Sequence, residues 1–84
     1  MKTQKFFVRI THAPEDKNDL IHLIPGLGVA HRDDLAEYWV KEKDKSTIWN
    51  NMKETFKEAD KEKLFEKIKI EIMDISENGY VRPS

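Results

Sequence analysis

The sequence predicts a small single α+β domain, ordered strand, two or three helices, strand (β-α-α-α-β), with a short antiparallel sheet packed on the helices. Three observations carry this expectation. Apolar residues alternate with period two at residues 5–12 and 67–75, they recur at helical spacing over residues 46–60, and 84 residues supply one core only.

Near the start, Phe6, Val8 and Ile10 fall on one face and Phe7, Arg9 and Thr11 on the other, so Lys5 to His12 reads as a strand. Phe7 implies that the second face is partly covered as well. Pro14, Glu15 and Asp16 suit the first turn of a helix, ahead of Leu20, Ile21, Leu23 and Ile24 at helical spacing, and Pro25-Gly26 ends it. A strand over residues 20–24 is the competing reading, because five apolar-rich residues satisfy either period. Asp34 with Glu37 resembles a capping box in acid form, which makes Leu35, Tyr38 and Trp39 one face of a second helix running to about Lys43. Ser46 or Thr47 can cap a third helix, whose Ile48, Met52, Phe56 and Ala59 form a stripe that Trp49 widens.

Leu64, Phe65 and Ile68 fall off that stripe. The third helix is therefore expected to end near residues 60–63 and the chain to restart as a strand, with Ile68, Ile70 and Ile72 alternating with Lys67, Lys69, Glu71 and Met73, to about Ile75. Asn78-Gly79 marks a turn, Tyr80-Val81-Arg82 has room for a stub of strand, and residues 77–84 are expected to form a frayed tail. A sheet of two terminal strands has exposed edges, which invites a third strand from a partner or a homodimer through the sheet edge.

Composition narrows the function classes. Fifteen Lys and Arg against sixteen Asp and Glu give a net charge of −1, which speaks against a strongly basic nucleic-acid binder and against an acidic DNA mimic. Zero cysteines remove disulfide staples and thiolate metal sites and suit a reducing cytoplasm. The apolar run Phe6-Phe7-Val8 is too short for a leader or a membrane span, so no membrane contact is expected.

Candidate chemical motifs fail on spacing. Gly26-Leu27-Gly28 lacks the third glycine of a dinucleotide loop, where His31 stands, and the Gly-Lys-Ser/Thr ending of a phosphate loop. His31-Arg32-Asp33 has Tyr38 where a kinase catalytic loop needs asparagine. His12, His22 and His31 have no preset metal spacing toward Asp33 or Asp34, and Thr11 beside His12 on a strand points to the opposite face. No catalytic residue, metal or cofactor is expected.

One surface pattern remains. Lys53, Lys57 and Lys61 recur every four residues beside Glu54, Glu58 and Glu62, with Trp49 near the start of the row. The sequence thus points to a non-catalytic protein-binding module, such as an accessory or inhibitor protein of the sort mobile elements encode, that docks on and occludes a larger protein. Its expected partner-binding residues are Trp49, Lys53, Lys57, Lys61, Arg9 and Arg32, and at least one of Trp39 and Trp49 is expected in the core. The alternative is an RNA- or DNA-binding regulator using the lysine-lined helix face. A third class, a ligand binder or enzyme assembled across an oligomer interface, would rest on His12, His31, Asp33 and Asp34.

Overall fold

Strand β1, Gln4–Thr11, has a long neighbour on each side, and both come from later in the chain. The computed structural model describes residues 3–24, 26–29, 32–75 and 81–82. Their order is β1, a 3-10 turn at Pro14–Asp16, α1 (Lys17–Leu23), β2 (Gly28–Val29), β3 (Leu35–Glu42), α2 (Lys45–Glu58), α3 (Glu62–Lys67), β4 (Lys69–Ile75) and β5 (Val81–Arg82). The sheet runs β2-β3-β1-β4-β5 with every pairing antiparallel. The α+β class, the terminal strand pair β1–β4 and the helices packed on an antiparallel sheet are as the sequence predicts.

Period two decides the layers. Phe6, Val8 and Ile10 of β1 lie beside Val40, Tyr38 and Ala36 of β3 and beside Asp74, Ile72 and Ile70 of β4. On this face the core closes against Leu20 and Ile24 at α1, Ile48, Met52 and Phe56 of α2, and Leu64 of α3. Each such side chain, fully buried, contributes about 1.5–3 kcal/mol, so the helices are held by this one layer. Residues 20–24 belong to the helical alternative: Ile24 N–H donates to Leu20 O at 3.0 Å, and Gly26 at φ +83° turns the chain.

The second helix expected over residues 34–43 is instead strand β3. Leu35, Tyr38 and Trp39 fit a helical face, but Ala36, Tyr38 and Val40 equally fit one face of a strand, and β1 offers a full-length ladder from Gln4↔Glu42 to Thr11↔Leu35. The two acids taken for a capping box are spent on arginines: Asp34 accepts from Arg32 at 2.6 and 2.9 Å, and Glu37 accepts from Arg9 at 3.0 Å. The third strand beside the terminal pair therefore comes from the chain itself.

Helix α2 starts two or three residues earlier than a cap at Ser46 or Thr47 implies. Asp44 is its cap, accepting from Thr47 N–H at 2.8 Å. Its end is a reverse-turn cap in which Lys61 N–H donates to Phe56 O at 2.8 Å and Asp60 N–H to Lys57 O at 3.1 Å. Asp60 takes the left-handed conformation, φ 59°, that this cap requires. Helix α3 then follows where a direct passage into strand was expected, and its Leu64 fills the core. Strand β4 ends at Ile75 as expected, and β5 is a two-residue stub; the rest of the expected tail lies outside the described residues. No helix among the described residues is long and apolar enough to cross a membrane.

Candidate binding site

The residues at positions 45, 46, 49 and 50 of α2 share one side of the helix, next to the core stripe of Ile48 and Met52. Together with Ile70 and Ile72 of β4 they line a groove of about 390 Å³. Trp49 is 42% exposed and its ring packs against Phe65 of α3, centroids 5.1 Å apart, while Phe65 in turn meets Phe56 of the core at 5.2 Å. The tryptophan is thus fixed from behind and open in front. Lys45, which lines the groove, has its Nζ 3.2 Å from Asp74 Oδ2 of β4.

Beside this groove runs a strand edge. β4 pairs with β1 from Lys69 to Asp74 on one side, but on the other side β5 reaches only Asp74 and Ile75. Among the described residues, Lys69–Met73 therefore has one edge without a strand partner. Outward N–H and C=O groups on such an edge form the template that an extended segment pairs with.

Of the six residues singled out from the sequence, Trp49, Lys53 and Lys57 form one i, i+4, i+8 row along α2, and neither lysine has an ion-pair partner among the described residues. The other three lie elsewhere. Helix α2 ends at Glu58, so Lys61 leaves the row and its Nζ reaches Asp19 Oδ2 of α1 at 3.6 Å. Arg9 stands on the opposite face of the sheet with Glu37, and Arg32 sits before β3 against Asp34. The hydrogen bonds from Arg32 hold the Asp34 carboxyl below the usual carboxylate range and raise the guanidinium in turn.

Neither tryptophan enters the core: Trp39 is 48% exposed. Its place on β3 puts it on the face away from the helices, where the register sets it beside Phe7 with ring centroids 4.7 Å apart. Lys5 Nζ stands 5.0 Å from the Trp39 centroid and Arg9 Cζ 5.9 Å from that of Phe7. The helical reading of residues 34–43 concealed this cluster. Its traces in the sequence were Phe7 on the second face of β1 and the alternation Leu35, Glu37, Trp39, Lys41.

The titratable groups considered for chemistry are dispersed. His12 is buried, with its Nδ1 2.7 Å from the Ala13 carbonyl oxygen, which makes that nitrogen the donor. His22 is exposed in the last turn of α1, and His31 lies outside the described residues. Among the described residues no three His, Asp or Glu side chains converge as metal ligands would. Burial raises the Tyr38 phenol, which lies beside the apolar cleft of Leu23, Ile24, Ile48 and Met52. No protein-family model, curated protein or solved structure matches this chain.

Proposed function

We propose that the protein is a non-catalytic, cytoplasmic binding module that docks on a larger protein by taking up an extended segment of that partner along the β4 edge. The observation that carries the reading is the juxtaposition of the Lys69–Met73 edge, which has no strand partner among the described residues, with the groove of Trp49, Ile70 and Ile72. Main-chain bonds to the edge supply affinity, and an apolar side chain of the segment, seated against Trp49, supplies selectivity. Lys53 and Lys57 continue the row of Trp49 along α2 and favour a segment flanked by acids. Ordering the partner's segment on this edge occludes it from other uses, which is the activity expected of a small inhibitor or accessory protein.

The test is capture from nuclease-treated host lysate followed by affinity measurement on the purified pair. Trp49→Ala should weaken binding tenfold or more, charge reversal of Lys53 and Lys57 together should weaken it further, and amides of β4 should gain protection from hydrogen exchange in the complex. Unchanged affinity in both variants overturns the reading. A dimer in sedimentation that Trp49→Ala dissolves would instead assign the edge to a second copy of the chain.

A further inference from the structure

The face of the sheet away from the helices carries a second arrangement that a protein-docking edge does not use. Three cross-strand rows lie on it in register: Lys5↔Lys41, Phe7↔Trp39, and Arg9 between Glu37 and Glu71. Rows on one face are two residues apart along the strand, about 6.8 Å. The middle row is a pair of aromatic rings, tilted 54° to each other, of which Trp39 is nearly half exposed. The row at the strand end sets two lysines directly opposite each other, and neither has an ion-pair partner among the described residues. Like charges so placed destabilise a strand pair, and a large ring left in water forgoes its burial. Both costs fall away together under one kind of ligand, an anionic chain bearing flat apolar rings.

We propose that this face binds single-stranded RNA, with bases stacked on Trp39 and Phe7 and the sugar-phosphate backbone crossing Lys5 and Lys41. Unpaired bases are the partners aromatic platforms on open sheets select, whereas a duplex keeps its bases stacked inside and admits a helix or a two-stranded ribbon to its groove. The platform is short. Met73, the next residue across the sheet in the aromatic row, is only 8% exposed, so the platform consists of the exposed Trp39 ring and the half-buried Phe7 ring and accommodates about two bases.

Glu37 favours RNA over DNA. The Glu37 and Glu71 carboxylates, separated from the lysines by the aromatic row, repel a polyanion, but both Arg9 contacts go to Glu37 Oε2, and its Oε1 can accept a hydrogen bond from a ribose 2′-hydroxyl, a group that DNA lacks. The salt dependence follows from the two lysines: two phosphate contacts give a slope of log affinity on log salt of roughly −1.4.

The experiment is fluorescence anisotropy of an end-labelled octauridylate, titrated with the full chain at low and moderate salt, against the matching deoxy-oligomer. The expected result is saturable binding to the RNA, weakened about tenfold by Trp39→Ala, retained by Trp39→Phe, and flattened in salt slope by charge reversal of Lys5 and Lys41. Trp49→Ala, on the other face, should leave the RNA affinity unchanged, which separates this site from the docking edge. Circular dichroism of each variant verifies the fold. Absence of binding by the folded wild type overturns the proposal, as does equal affinity of Trp39→Ala, and equal or tighter binding of the deoxy-oligomer overturns the assignment to RNA.

Discussion

Asp44 shows how one side chain sets a pH dependence. Its carboxylate accepts the Thr47 N–H that would otherwise be an unpaired donor at the start of α2, and this hydrogen bond holds the Asp44 carboxyl below the ordinary carboxylate value. A depressed folded value means that the stabilisation is complete above the unfolded value, about 3.9, and disappears as pH falls through the folded one. Urea midpoints of the wild type and of Asp44→Asn, which keeps a capping oxygen but does not titrate, should therefore run apart at neutral pH and draw together below about pH 4. Parallel curves over that range would show that the cap is not linked to protonation. The same comparison leaves the Arg32–Asp34 pair untouched, so its own titration cancels between the two proteins.

At the level of elements, the reverse-turn cap at the end of α2 is closed by a residue whose side chain opposes it. Asp60 holds φ 59°, a conformation that costs a residue with a Cβ roughly 1–2 kcal/mol and glycine little. Asp60→Gly should therefore stabilise the domain by up to about 1 kcal/mol in urea unfolding, and Asp60→Val should destabilise it. What the sequence disclosed about the elements depended on whether one period excluded the other. Phe6-Val8-Ile10 and Ile68-Ile70-Ile72 fit only the period of two, and Ile48-Met52-Phe56 only the helical one, so β1, β4 and α2 were legible. Leu35 to Glu42 satisfies both, and what decides it is the ladder to β1, a partner about 30 residues away. The candidate site followed the same line. Trp49, Lys53 and Lys57 share a side because α2 is a helix, whereas the pairing of Phe7 with Trp39 needed a register that no local pattern contains.

For the whole molecule, the position of β1 sets the gradient of rigidity. It is bonded along nearly its full length on both sides, its inward side chains Val8 and Ile10 are fully buried, and β3 and β4 each retain an edge with little partner among the described residues. Native-state hydrogen exchange should accordingly find the slowest amides on β1, faster exchange at the outward groups of Lys69–Met73, and faster still in α3, a helix of six residues held through Leu64 and Phe65. Uniform protection across the three long strands would contradict this order.

The central strand also leaves the ribosome before both of its long neighbours. Phe6 must wait for Asp74, and Thr11 for Lys69. At roughly 5–20 residues per second, the intervening chain takes about 3–14 s to synthesise, far longer than a hairpin needs to form. During that interval β1 can already zip to β3 while its other edge stays open, a nascent chain with its central strand half clothed. The element that anchors the finished domain is thus the one most exposed to nascent-chain chaperones while the domain is being made.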